Sequence, residues 1–231
     1  MNIVCVLKDR QNFTSNYDPS WVQKLARGVK RHFTSDHRFV CLTNHGEIEG
    51  VETIPLIHHT WGDYWAKIEI FRPELFSGPT IYTDLDALIC NNIDRLAEPE
   101  DEFLMLEDYY PHILNSTLMK FDASNKLYSG IYTYFAQHEF KVKREYAPGS
   151  NGANFGDQLY ISEWLQENGQ FNSKWQDVLP RELFLPFSYR SELNPDVLDW
   201  KPGNPAAYVY CLGHPKFDAL QSCQIVSKNW K

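Results

Sequence analysis

In the first part of the chain, short apolar runs alternate with stretches of helical spacing, and that alternation fixes the class of fold. Ile3-Val4-Cys5-Val6-Leu7 reads as an opening strand. Asp18-Pro19 then sets an N-cap before a proline at the first helical position, and Val22, Leu25, Val29 and Phe33 follow on one helical face. Residues 39–42 give a second strand and 51–56 a third. Asp63 opens a helix through Phe71, which Pro73 stops. The turn Ser77-Gly78-Pro79 leads into the strand Thr80-Ile81-Tyr82-Thr83. Strands separated by helices join through crossovers, so the expected fold is α/β with a mixed, mainly parallel central sheet. Beyond this point the pattern loosens. Strands are expected at 103–106, 116–121, 182–185 and 207–212, and a helix after Gly156-Asp157 with Ile161, Trp164 and Leu165 on one face.

Composition narrows the function. At 231 residues the chain buries enough surface to fold without a disulfide or metal staple. A net charge of −8 argues against general nucleic-acid binding, which rests on phosphate neutralisation. No apolar run approaches the ~20 residues that span a bilayer, and the N-terminus reads as a strand, not a signal peptide. The 5 cysteines are scattered without a CxxC pair, which fits buried free thiols in a reducing, cytoplasmic setting. Aromatics reach 15%, either as core or as platforms for bases and sugar rings.

In parallel α/β sheets ligands bind outside the carboxyl ends of the strands, so the chemistry is sought after Leu7 and after Thr83. The second place reads Asp84-Leu85-Asp86, followed by Ala87-Leu88-Ile89. In extended chain residues i and i+2 share a side, so both carboxylates project together while Leu85 returns to the core. Two like charges held close repel unless a cation lies between them. Hard oxygen ligands suit Mg²⁺ or Mn²⁺, with substrate phosphates completing the shell. The pattern points to a metal–diphosphate site; the plain alternative is a pair of loop or capping carboxylates. Two rival uses of paired aspartates fit less well. A DxDxT phosphatase motif would need threonine where Leu88 stands, and a nucleotidyltransferase would follow its first strand with glycines where Lys8-Asp9-Arg10 stand.

Other residues carry two readings each. Asp157 is an N-cap, or a site carboxylate able to act as a general base, with Glu107-Asp108 as the competing base. Trp61 and Trp65 share a face and read mainly as core. His58-His59 is a poor metal pair, since adjacent side chains diverge. Lys141-Val142-Lys143-Arg144 reads as a solvated face, with contact to an anionic surface as its alternative, and 149–154 as a flexible loop whose place just before Asp157 suits a lid over the site.

Several segments together resemble a family. Trp65-Ala66-Lys67-Ile68-Glu69-Ile70-Phe71-Arg72-Pro73-Glu74-Leu75-Phe76, the Ile81–Ile89 stretch with its two aspartates, and Asn92-Ile93-Asp94-Arg95-Leu96 are similar to small GT-A glycosyltransferases of the family 8 group and its bacterial and viral relatives. Asn115-Ser116-Thr117-Leu118-Met119, Gly156-Asp157-Gln158 and Gly213-His214-Pro215-Lys216 continue the resemblance in order. The last segment departs from the family pattern, with glycine before His214 and Phe217 in place of tryptophan.

The resemblance implies one GT-A (Rossmann-like) domain over 1–231, with a nucleotide-binding half over about 1–100 and an acceptor-side half over about 101–231. It implies transfer of a sugar from a nucleoside-diphosphate sugar, UDP favoured and GDP open, to a glycan or other hydroxyl acceptor. Leu7, Lys8 and Asp9 would lie along the base and ribose, and Asp84, Asp86 and His214 would hold Mn²⁺ or Mg²⁺. Lys216 would touch a donor phosphate, and Lys67, Leu85, Asn115 and Ser116 would line the donor site. Asp157 and Gln158 would face the reacting sugar. A monomer is the default expectation. Two alternatives stand beside the transferase: a non-catalytic carbohydrate-binding module on a degenerate transferase fold, and a sugar-phosphate nucleotidyltransferase.

Overall fold

The computed structural model describes residues 1–8, 17–100, 103–108, 114–147, 156–170, 173–187, 205–211 and 216–231. A seven-stranded sheet runs in the order β3-β2-β1-β4-β7-β6-β8. Its strands are β1 (Asn2–Leu7), β2 (Arg38–Thr43), β3 (Glu52–Pro55), β4 (Pro79–Thr83), β6 (Phe103–Glu107), β7 (Leu114–Asp122) and β8 (Ser173–Lys174). β1 pairs in parallel with β2 on one side and β4 on the other. That central place explains its unbroken apolar run, since both of its faces are covered. β7 runs against both of its neighbours, β4 and β6, so the sheet is mixed but mostly parallel.

Asp84-Leu85-Asp86 is the point where the chain leaves this sheet. It passes straight into β5 (Ala87–Ile89), which pairs with β10 (Tyr208–Cys211); β9 (Phe184–Phe187) completes a second, three-stranded sheet. Helix α1 (Pro19–His32) packs on the β5 side and buries Trp21, Val22, Leu25 and Val29. Asp18 caps it, accepting from the Ser20 N–H at 2.8 Å. The other face of the large sheet carries the segment Asp63–Phe71, α2 (Lys126–Glu145) and α3 (Gly156–Glu167). Here the aromatic content is spent on packing: Phe135 of α2 meets Trp61 edge-on at 4.7 Å and stacks on Trp65 at 4.9 Å. Cys5, Cys41, Cys90 and Cys211 are buried free thiols, and Cys223 is half-buried.

Some elements differ from the sequence expectation. The segment Asp63–Phe71 is a 3-10 helix whose N-cap is Gly62, not Asp63. Its residues from Trp65 to Phe71 are buried all round, so no single apolar stripe sets a 3.6-residue period. The late strand begins at Phe184, because Arg181–Leu183 forms a 3-10 turn first. The 20-residue helix α2 has no counterpart in the expected elements. The basic run is its last turn, where Lys143 pairs with Glu139 at 2.5 Å. The expected acceptor-side loop 149–154 lies outside the described residues. Among the described residues no helix is long and apolar enough to cross a membrane.

Candidate active site

The backbone of Asp84-Leu85-Asp86 is fixed from both sheets. The Asp84 N–H donates to the Thr117 carbonyl of β7 at 2.8 Å, and the Cys211 N–H of β10 donates to the Asp86 carbonyl at 3.2 Å. Leu85 packs into the core, as alternation requires, and still contributes to the lining of the pocket that both carboxylates face. Val6 and Lys8 of the β1 end form one wall, and Tyr17, Tyr64 and Tyr82 form much of the rest. The pocket measures about 140 Å³, smaller than the ~300–1,000 Å³ of typical small-molecule sites, so a larger ligand would extend past its rim.

A buried lysine organises the floor. Lys67 Nζ lies 3.1 Å from Asp84 Oδ1 and 3.0 Å from Asp157 Oδ2, and donates to Ser116 Oγ at 2.8 Å. The Ser116 hydroxyl in turn donates to Asp157 Oδ2 at 2.7 Å. The Tyr82 hydroxyl donates to Asp84 Oδ1. Burial alone would favour a neutral amine, but Asp157 and Asp84 outweigh it and raise the Lys67 pKa above its ordinary value. Burial also pushes the Asp84 carboxyl up; Lys67 opposes this and the Asp86 charge adds to it.

Asp86 has a separate set of partners. Its Oδ2 accepts from the Tyr17 hydroxyl at 3.1 Å and pairs with the Lys216 ammonium. Burial pulls the Lys216 pKa down, and Asp86 more than restores it. Tyr17 is pushed up by burial and by Asp86, which keeps it a neutral donor.

A third cluster lies where β6 ends and β7 begins. Asn115 Nδ2 donates to Asp108 Oδ2 at 2.9 Å, and Gln158 Nε2 donates to the same oxygen at 3.2 Å. Asn115 Oδ1 accepts from the Thr117 N–H at 2.8 Å. Asp108 therefore orients both amides by their nitrogen ends. Glu107 is committed elsewhere, with Arg181 at 2.5 Å and Lys174 at 3.1 Å, and these cations hold its carboxyl below the usual range.

The structure thus brings Lys67, Asp84, Ser116 and Asp157 into direct contact, joins Lys216 to Asp86, and places Gln158 beside Asn115. The position of Asp157 in the first turn of α3 supplies its approach, but its contacts run to Lys67 and Ser116. Leu7 does not line the pocket: its side chain is fully buried in the core, and alternation gives the wall to Val6 and Lys8. Asp9 and His214 lie outside the described residues. Tyr17, Tyr64, Tyr82 and Asp108 had not been singled out as donor-site groups. Tyr82 was legible, two residues before Asp84 on the same side of a strand; Tyr17 and Tyr64 carry no local signal.

Two carboxylates facing one pocket are hard oxygen donors of the kind that suits a divalent cation, and in the ligand-free chain each of them is paired with an ammonium group that such a cation would have to compete with. Among the described residues no three His, Cys, Asp or Glu side chains converge as a metal centre, so a third protein ligand is not supplied there.

No family model matches the chain, and no curated protein matches it in sequence. Solved structures do match it. The galactosyltransferase LgtC in complex with donor and acceptor sugar analogs aligns over 100% of this chain and 97% of its own, with a TM-score of 0.63 at 10% identity. The apo-form glycosyltransferase GlyE of Streptococcus pneumoniae TIGR4 aligns over 94% of this chain with a TM-score of 0.60 at 11% identity, and the chain covers 55% of the length of GlyE. At such identities the likeness is one of fold, and the chain has the GT-A-type α/β fold of these glycosyltransferases.

Proposed function

We propose that the protein is a glycosyltransferase that moves a sugar from a nucleoside-diphosphate sugar, UDP favoured, to a glycan or other hydroxyl acceptor with the help of Mn²⁺ or Mg²⁺. The observation that carries this is the pair Asp84 and Asp86, facing one pocket at the carboxyl edge of β4 and each drawn to a lysine. The shared fold with glycosyltransferases raises its standing.

In this proposal Lys8 and Val6 lie along the nucleoside, and Asp84, Asp86 and His214 hold the ion. When bound, the ion stabilises charge on the departing diphosphate. Lys216 adds a positive charge on the same side. Tyr82 and Lys67 hold Asp84 in place, so its geometry is set before ligand arrives. Asn115, Gln158 and Asp157 take the donor sugar. Asp157 Oδ2 is already shared between the Lys67 ammonium and the Ser116 hydroxyl. With that oxygen committed, its role in this proposal is to hold the donor side of the site and the sugar hydroxyls.

Calorimetric titration of UDP and GDP, each with and without Mn²⁺, tests the proposal. UDP should bind in the presence of Mn²⁺, and Asp86→Ala should weaken that binding at least ~10-fold, a loss typical of removing a metal ligand or its support. Absence of binding by either nucleotide under every condition overturns it.

A further inference from the structure

The two lysines of the site differ in how firmly they are held. Lys67 is buried and anchored by Asp84, Asp157 and Ser116 together. Lys216 is more exposed, and its described ion pair is with Asp86 alone. It stands at the N-cap of the 3-10 turn Phe217–Leu220, a position where the side chain takes no part in capping. Lys67 is held by three side chains and Lys216, among the described residues, by the one ion pair to Asp86.

The place of the Lys216 contact matters most. It falls on Asp86 Oδ2, the oxygen that also accepts from Tyr17, and so covers one of the two carboxylates that face the pocket. A bare divalent ion arriving at Asp86 would meet an ammonium group already seated there, and two cations would share a partly buried carboxylate. A diphosphate changes the balance, because its oxygens offer Lys216 a second anionic partner and release Asp86 to the ion.

Resting on the proposed donor chemistry, we infer that Lys216 makes the site select a metal–nucleoside diphosphate complex over the bare metal ion, by occupying Asp86 until a diphosphate draws it away. Lys216 is then a specificity-determining residue, and the metal and nucleotide bind with positive coupling. Coupling of this kind is reciprocal in binding free energy, so it is measurable from either ligand.

The test uses Mn²⁺ alone and Mn²⁺ with UDP, followed by loss of the free-ion paramagnetic resonance signal and by calorimetry, on the wild type, Lys216→Met and Lys216→Arg. Lys216→Met keeps the length and removes the charge; Lys216→Arg keeps the charge. Wild type and Lys216→Arg should bind Mn²⁺ weakly without UDP. Lys216→Met should bind Mn²⁺ alone about 10-fold more tightly, within the ~5–150-fold span of ordinary coupling, and UDP should add less to its Mn²⁺ affinity than in the wild type. Equal Mn²⁺ affinity of wild type and Lys216→Met without UDP overturns the inference, as does absence of Mn²⁺ binding by Lys216→Met. If UDP still binds with Mn²⁺ in either case, the transferase proposal survives and only the selection by Lys216 falls; if no nucleotide binds any of the three, both fall.

Discussion

Lys67 shows what one residue does here. Its ammonium pairs with two carboxylates, and one of them is as buried as itself: side-chain exposures are 6% for Lys67 and 8% for Asp157, against 26% for Asp84. Removing one member of such a set leaves charge buried without compensation, which costs about 3–5 kcal/mol. Lys67→Met should therefore lower stability by that amount in urea denaturation, while Lys67→Arg should lose less because the charge stays. The pH dependence has a definite sign. The folded pKa of Lys67 is raised above its ordinary value of 10.5, so its contribution is full below that pH and fades as pH climbs through the folded value. The wild type should lose this stabilisation at alkaline pH and the methionine variant should lack that loss. Identical alkaline limbs would remove Lys67 from the role of buried counter-ion.

At the scale of elements, the register of α3 against the pocket hangs on Gly156. Its φ is +41°, and a Cβ built there would lie 2.4 Å from the ring of Tyr64, which lines the pocket. Gly156→Ala must displace Tyr64 or the first turn of α3, at a cost of about 1–3 kcal/mol for an overpacked site. It should also weaken UDP binding, since that turn carries Asp157 and Gln158. Introducing the alanine into a Tyr64→Ala background removes the clash and leaves the backbone term of about 1–2 kcal/mol, so its cost there should fall by the overpacking part. An unchanged cost in the double variant would place the strain in the backbone alone. The strands of the first half were legible because each is a short apolar run bounded by turn residues, and β4 ran visibly into its two aspartates. Helix α2 was not. Its aromatic and β-branched residues, Tyr128, Ile131, Tyr132, Thr133, Tyr134 and Phe135, favour strand locally, and packing against Trp61 and Trp65 decides for helix. The pairings of Gln158 with Asp108 and of Lys67 with Asp157 join distant positions, so no local pattern announces them.

Over the whole molecule, the site is the seam between two sheets. Asp84 is tied by its backbone to β7 and Asp86 to β10, and the Tyr208 hydroxyl of β10 joins the seam again, 2.7 Å from Thr83 Oγ1 and 3.2 Å from the Thr117 carbonyl that accepts from it. A ligand that fixes Asp84 and Asp86 therefore stabilises the contact between the sheets, not one loop. At a UDP concentration 100 times its dissociation constant, with Mn²⁺ present, ligand linkage supplies about 2.7 kcal/mol. In a chain of this size each kcal/mol moves the midpoint by about 2–4 °C, so thermal denaturation should shift upward by about 5–11 °C. Tyr208→Phe removes the hydroxyl's hydrogen bonds to Thr83 and to the Thr117 carbonyl, which keeps the Asp84 N–H, and should cost about 0.5–1.5 kcal/mol before any ligand is added. Hydrogen exchange gives the sharper test. If the seam is one cooperative unit, UDP with Mn²⁺ should slow exchange in β10 as well as at the end of β4, and Tyr208→Phe should reduce the effect in β10 while keeping it in β4. Protection confined to β4 in the wild type would mean that the small sheet stands apart from the ligand, and that the hydrogen bond from Cys211 to Asp86 does not transmit binding.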